Sequence, residues 1–520
     1  MPDNPLTTVD DDDEAEVDVP LDDEVLGAVI EEQKIPPLTG LYAQYFAVGL
    51  VYGALPGTLY GFFMGYLDVE SHVYATALEV VSLPWSFKFL YGAMNDCAPL
   101  GGSHRRSYMV LGWTLCAVAL LALATTSTPA AGDKDVAGMF AAKMALAAVG
   151  YVMADVAADG LVVQFAKMEP TRIRGTIQSN VYLVRTIGSI GAALLVGLGM
   201  NGKEYNGTFE HTLTFSQICF ILAIPATLMA AVSWVWINEP PAQEAITGRE
   251  YMRDCFKMLR SKAMYYVVVY SIAHGTMGSI STTAGPNVTK IWAGVHTLQA
   301  QLFGVLAMLI FAIGLFMVKR YFLNASWRLV IVVTTILITS VDAFFVYFTI
   351  YDVVRDQYFY LGEAAVVMVP AAARFMVTTF VVVEMAPDGK EGITYGLLTT
   401  LHNLGSPVAR GISNALFGTA FSGLSNANNY VEDTPDFRNQ VALSYGVCYL
   451  CSFVALGLLM YLPNQKAEAH ERIENWPTCT RYAHRTIVIV AIAWTYAIVS
   501  GAMAMFPSTS CMQIIGGSGC

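Results

Sequence analysis

Apolar runs of about 20 residues or more recur along the whole chain, and that is the length an α-helix needs to cross a bilayer. They predict spans at residues 41–67, 73–94, 107–127, 137–166, 174–200, 213–237, 263–284, 298–318, 327–350, 358–383, 392–420 and 440–462, with a thirteenth apolar run at 486–506. A β-barrel would show short segments of alternating polarity instead. The expected fold class is therefore an all-α polytopic membrane protein, with an extra C-terminal helix that either crosses the membrane or lies on it.

The long polar stretch "NEPPAQEAITGREYMRDCFKMLRSK" divides the first twelve spans six and six. "MEPTRIRGTIQSNVYLVRTIGS" from Met168 and "MAPDGKEGITYGLLTTLHNLGS" from Met385 share Met, Pro, Gly, Gly and Ser in one register, 217 residues apart. Five ungapped identities at the same place in each half argue for two six-helix bundles related by a pseudo-two-fold axis, the arrangement of the major facilitator superfamily. The expected organisation is an acidic tail at 1–37, an N-terminal bundle at 38–238, a linker at 239–262, a C-terminal bundle at 263–463, and the extra helix with its tail at 464–520.

Composition agrees with this pattern. The chain is 55% hydrophobic and 13% charged, against about 25% charged in soluble domains. Its net charge of −12 is local: residues 1–34 hold thirteen Asp or Glu and one Lys. "VDDDDEAEVDVPLDDEV" is expected to be a disordered tail, and it lacks the basic character of a secretory or transit signal. With the N-terminus in the cytoplasm, the loops on that side carry eighteen Lys and Arg and those on the other side five, so the positive-inside rule supports that orientation. Sequons occur at Asn206, Asn287 and Asn324, and Asn206 is the one expected to carry a glycan. Cys448 and Cys451 are expected to be two small residues of a packed helix, since a structural metal site needs four ligands. For Cys511 and Cys520, palmitoylation, a disulfide and neither all remain open.

Charges inside spans cost roughly 2.5–3.5 kcal/mol each at a helix centre and are functional candidates for that reason. The basic ones are Lys88, Lys143, Arg185, Arg374 and Arg410; the acidic ones include Glu79, Asp155, Asp159, Asp342, Glu363 and Glu384. Asp155 and Asp159 are four residues apart, on one helix face. Two such carboxylates repel unless one is protonated or a cation intervenes. The repeat maps Arg374 to a position between them and Arg185 onto His402, which suggests a polar midplane site of Asp155, Asp159, Arg185, Arg374 and His402, with Lys88 beside it. The competing expectation is a set of ion pairs that lock helices together. Gly188, Gly191 and Ala192 are expected to let span 5 pack closely on a neighbour.

Between spans 2 and 3, Gly92-x-x-x-Asp96 followed by Arg105-Arg106 resembles the loop signature of the major facilitator superfamily, whose carboxylate and arginines latch the cytoplasmic gate. Eight residues, "CAPLGGSH", separate Asp96 from Arg105, more than in most of that superfamily. The longer form, Pro84-Trp85, Lys88, Gly92, Asp96, Pro99-Leu100, Gly101 or Gly102, Arg105-Arg106 and Tyr108, looks like the folate–biopterin transporter (BT1) family. "ADVAADGLVVQFAKMEP" is similar to that family's span 4. The resemblance implies a secondary active transporter of folates, pterins or related solutes, commonly proton-coupled, working by alternating access. It implies gating by Gly92, Asp96, Arg105 and Arg106, recognition of carboxylates by Arg185 and Arg374, and a pterin- or proton-binding role for Asp155 or Asp159. A carrier of S-adenosylmethionine, a sugar or another metabolite is the alternative, as is a non-transporting receptor.

No H-E-x-x-H, G-x-S-x-G or P-loop motif occurs, so an enzyme is not expected. Neither a metal, a cofactor nor a nucleic-acid partner is expected. The chain is expected to act as a monomer in the plasma membrane.

Overall fold

The computed structural model of the chain describes residues 37–168, 176–239, 247–321, 325–385, 391–421 and 423–520. The acidic tail, the starts of both repeat segments, Arg172, Arg174, Lys390 and Asn324 lie outside the described residues.

Ten helices among the described residues are long and apolar enough to cross a membrane, and they coincide with predicted spans 1, 3–6, 8–10, 12 and 13. The other three predicted spans are helical with reasons to fall short. Span 2 is broken into Ser71–Ser82, a 3₁₀ turn Leu83–Phe87 and Lys88–Cys97; Pro84, which cannot donate to the helix ladder, sits in that turn. Span 7 is regular only over Lys262–Gly278. Span 11, Glu391–Ala420, is long but polar. The first span of each half ends in a π-helix, Tyr60–Tyr66 and Val288–Trp292. In span 1 the π-helix follows Pro56, whose missing N–H breaks the regular ladder one turn earlier.

The two repeat segments pack alike. A Cβ on Gly188 would run into the Phe46 carbonyl of span 1, and one on Gly405 would lie 3.0 Å from the Gly275 backbone of span 7. These two glycines are 217 residues apart and mark where the fifth helix of each half meets the first. Gly53 lies against Ala192, whereas Gly191 meets only the Leu50 side chain at 3.8 Å. Small residues substitute here for the hydrophobic driving force that lipid removes.

The halves meet along two seams. Spans 2 and 11 are joined by Phe89 N–H to Thr400 Oγ1 at 2.9 Å, Ser86 Oγ to the Asn403 carbonyl at 3.1 Å and the Asn414 amide to Thr76 at 2.8 Å. Spans 5 and 8 meet where Gly197 packs on Gln301. On the distal side, that of the span 1–2 turn, the halves are also bonded directly. Tyr60 donates to the Val295 carbonyl at 2.7 Å, and Lys290 pairs with Asp68 at 3.0 Å.

Two helices lie in stretches the sequence reads as loops. Gly248–Leu259 starts at a capping box between Thr247 and Glu250, and Lys466–Asn475 follows span 12. The thirteenth run forms the helix Thr480–Met505. It runs antiparallel to span 2 over the depth of that span: Trp494 donates to the Ser86 carbonyl, Gly501 faces Val80, and Ser510 meets His72. Cys511 and Cys520 are joined in a disulfide, while Cys448 and Cys451 are free.

The sequon expectation is corrected. The Asn206 amide nitrogen donates to Tyr60 Oη at 3.0 Å and to the Val295 carbonyl at 2.8 Å, inside the distal seal. Asn287 is buried and donates to the Ser425 carbonyl.

Candidate functional site

The break in span 2 sets up the N-terminal site. The 3₁₀ turn ends at Phe87, so Lys88 begins a new helical segment aimed at span 4. There its ammonium sits 3.1 Å from Asp155 Oδ2 and 3.0 Å from Asp159 Oδ2. Arg185 of span 5 approaches the other oxygen of Asp155 at 3.4 Å. Tyr45 of span 1 donates to Asp159 Oδ1 at 2.6 Å. Two carboxylates and two cations thus form a charge-balanced tetrad. Asp155 is fully buried at its centre, and the Asp159 side chain is 26% exposed at its edge.

Aromatic rings wall this tetrad. The Arg185 guanidinium lies 5.2 Å from the Tyr52 ring centroid and 5.1 Å from that of Trp85, and Lys88 lies 4.7 Å from Trp85. Trp85 Nε1 donates to Tyr151 Oη at 3.2 Å, which fixes the indole. Cations over aromatic faces gain about 0.5–2 kcal/mol, more as water is excluded.

The predicted midplane set is divided in two. Arg374 does not neutralise the aspartates; Lys88 and Arg185, from the same half as the aspartates, do. Equivalent depth in two repeats does not bring side chains on different bundles into contact. Arg374 instead lies beside Gly278, whose Cβ would be 3.2 Å from Nη2. Its ionisable neighbours are Tyr270, His274 and His402. His274, stacked on Tyr270 at 4.7 Å, was missed in the sequence because a single histidine in an apolar span carries no pattern.

Most of the remaining intramembrane charges have local partners; Glu363 has Asp342 as its ionisable neighbour. Lys143 donates to Thr126, Glu79 accepts from Ser406 across the halves, and Arg410 donates to Ser281. Asp342 accepts from Tyr449 at 2.7 Å. Glu384 pairs with Lys466 at 3.0 Å and His470 at 2.9 Å, anchoring the helix after span 12.

In the span 2–3 loop, Asp96 pairs with Arg105 at 2.7 Å, whereas Arg106 lies 4.7 Å from the Trp234 ring. Gly92 has open space around it. Gly101 and Gly102 both have positive φ, at 60° and 78°, between Leu100 and Ser103, which bond each other as a tight reversal. Two left-handed residues in a row are what a type I′ turn requires, so the extra residues form a compact hairpin. Two residues that hold this loop were not foreseen. Glu239 accepts from the backbone N–H groups of His104, Arg105 and Arg106 at 2.9, 2.9 and 3.1 Å, capping span 3 with a negative charge at its N-terminus. Gly160 leaves room for the Arg105 side chain, which a Cβ there would strike. Glu239 adjoins Pro240-Pro241 in a stretch that reads only as a linker, and its partners are 133 to 135 residues away.

Comparison with known proteins gives a consistent result. Residues 49–478 match the model of the BT1 family. The chain is 25% identical over 173 residues to a protein of Arabidopsis thaliana named "Probable folate-biopterin transporter 4", an alignment covering 33% of each chain. It is 24% identical over 347 residues to "Probable folate-biopterin transporter 7" of the same plant, covering 63% of this chain and 73% of that one. The match thus spans only a third of the length of the first of these relatives. Among solved structures, a D-xylose–proton symporter superposes with a TM-score of 0.57 at 12% identity, covering 82% of this chain and 97% of that one. At that identity the likeness is one of fold, and it is the fold of the major facilitator superfamily.

Proposed function

Because the chain belongs to the BT1 family, we propose that it is a secondary active transporter that carries a folate, a pterin or a related solute by alternating access. The names of its relatives support the substrate class. The observation that carries the reading is the contrast between the two halves. The N-terminal half holds a charge-balanced tetrad walled by Tyr52 and Trp85, whereas Arg374 in the other half has, among the described residues, two histidines and a tyrosine as its ionisable neighbours and no carboxylate paired with it. A solute with a flat, hydrogen-bonding ring and an anionic end matches that polarity. The ring stacks beside Trp85 and Tyr52, and the carboxylate meets Arg374 with His402 and His274.

In this proposal Asp159, at the edge of the tetrad, accepts from the ring or takes up the coupling proton, while Lys88, Asp155 and Arg185 hold the wall. Gly92, Asp96, Arg105 and Arg106 latch the gate on the N-terminal side, which is cytoplasmic in this reading, with the protein a monomer in the plasma membrane. The six-helix halves at 38–238 and 263–463 are the rocking units, and no cofactor is involved.

Uptake by proteoliposomes of purified protein tests the proposal, with folate, biopterin, S-adenosylmethionine and a hexose as solutes. Folate or biopterin should accumulate, and Arg374→Met should lose most of the uptake of the carboxylated solute while the pterin without a carboxylate is spared. Accumulation of the hexose or S-adenosylmethionine alone would overturn the substrate assignment. Accumulation of none of the four would overturn transport of this solute class.

A further inference from the structure

The helix Thr480–Met505 and the residues after it are not used by the mechanism above, yet they touch both halves. Along the seam, Gly411 of span 11 faces Tyr496 and Ser500, and Gly501 faces Val80 of span 2 at 3.3 Å. Trp494 bonds the Ser86 carbonyl and stacks on Phe87. Past Met505 the chain turns into the distal end of the molecule. His72 Nε2 bonds the Ser510 carbonyl at 2.9 Å, and Ser425 Oγ donates to the Gly516 carbonyl at 3.0 Å. A Cβ on Gly516 would lie 2.9 Å from His72 Cβ in one half and 3.3 Å from Asn414 Cβ in the other. Gly418 is likewise pressed against the Gln513 carbonyl and Gly516. The Cys511–Cys520 disulfide, with Gly517 and Gly519 N–H groups bonded back to Met512 and Cys511, closes the segment into a compact loop.

We propose that the segment Phe506–Cys520 is a built-in strap that holds the distal ends of the two halves together, so that opening on that side requires its release from one half. Gly516 touches both halves at once, and no rigid displacement of His72 from Asn414 preserves both contacts. The Lys290–Asp68 and Tyr60–Val295 bonds must part in the same movement, so the strap adds to a seal that is already present. Packed interfaces of this kind are bistable rather than elastic, and a strap shifts the balance toward the distally closed state by its differential contacts. The helix Thr480–Met505 anchors the strap to the seam and sets its reach. This inference rests on alternating access, but its test reads conformation and needs no solute.

Spin labels on unnatural amino acids at Glu210 and Asn428, exposed distal positions of the two halves, report the separation of the distal ends by pulsed dipolar spectroscopy. In the otherwise unchanged protein one short distance should dominate. Gly516→Val places a branched side chain where φ is +102° and both halves are in contact. It should raise the population of a longer distance about fivefold, the change expected from losing roughly 1 kcal/mol. Should that variant fail to fold, the paired Cys511→Ser and Cys520→Ser exchange opens the loop without adding bulk and should act in the same direction. Distance distributions unchanged in the folded variants would overturn the strap, whatever the uptake assay shows. Loss of uptake of every solute with a widened distance distribution would sink the transport reading and leave the strap standing.

Discussion

Replacing Asp155 and Asp159 one at a time should separate locking from binding within the tetrad. Asp155→Asn removes the carboxylate that Arg185 meets at 3.4 Å and that Lys88 meets at 3.1 Å. Lys88 keeps Asp159, but Arg185 is left without a carboxylate in the tetrad, and Asp155 itself is fully buried. Breaking a buried pair from one side costs about 3–5 kcal/mol, because the remaining charge is uncompensated. Asp159→Asn differs: Lys88 still has Asp155, Arg185 is untouched, and what is lost is one partly exposed ion pair and the charge that strengthens the Tyr45 hydrogen bond, whose acceptor oxygen asparagine keeps. That loss is about 1–2 kcal/mol after allowance for solvent screening. In a thermal-shift assay on purified protein, Asp155→Asn should lower the melting temperature by roughly 5 °C or more, and Asp159→Asn by less than about 3 °C. Uptake per folded molecule should fall the other way, by at least about tenfold for Asp159→Asn, as for an intramembrane carboxylate that serves the solute or the proton. Adding Arg185→Gln to Asp155→Asn removes the orphaned cation and should recover part of the stability. The reasoning fails if Asp159→Asn is the more destabilising, or if it leaves uptake intact.

Further outcomes follow from the same structure. Glu239→Gln removes the charge that caps span 3 and should cost about 1–2 kcal/mol; limited proteolysis of the span 2–3 loop should accelerate, and equal rates would count against the capping role. At the distal cap, burial pushes the Asp433 carboxyl up, but hydrogen bonds from Arg438 and Arg355 more than reverse this and hold it at about 2. Its contribution to stability is therefore complete above the ordinary carboxylate value of about 4 and is lost as pH falls toward 2; Asp433→Asn should flatten that part of an acid-unfolding profile. Digestion with an N-glycosidase should leave electrophoretic mobility unchanged, because the Asn206 amide is committed to Tyr60 and Val295.

The membrane class, ten of the thirteen spans and the family are legible in the sequence, because these depend on local quantities. An apolar run of sufficient length is helical wherever it lies in lipid, and the glycine and charge spacings of the span 2–3 loop are read within 30 residues. The sequence also identifies Asp155 and Asp159 as a pair needing either a proton or a cation between them, since four-residue spacing on a helix is a local fact. The choice of cation is made by tertiary contacts. Lys88 reaches Asp159 from 71 residues away because Pro84 breaks span 2 just before it, and Arg185 comes from span 5. The same holds for Glu239 on span 3, for His274 beside Arg374, and for Gly516 between His72 and Asn414. Each is a meeting of side chains from helices that no periodicity relates, brought about by close packing at small residues such as Gly49 against the Arg185 carbonyl and Gly188 against the Phe46 carbonyl. Pairing energies of this kind belong to the assembled bundle, so the composition of any one span cannot contain them.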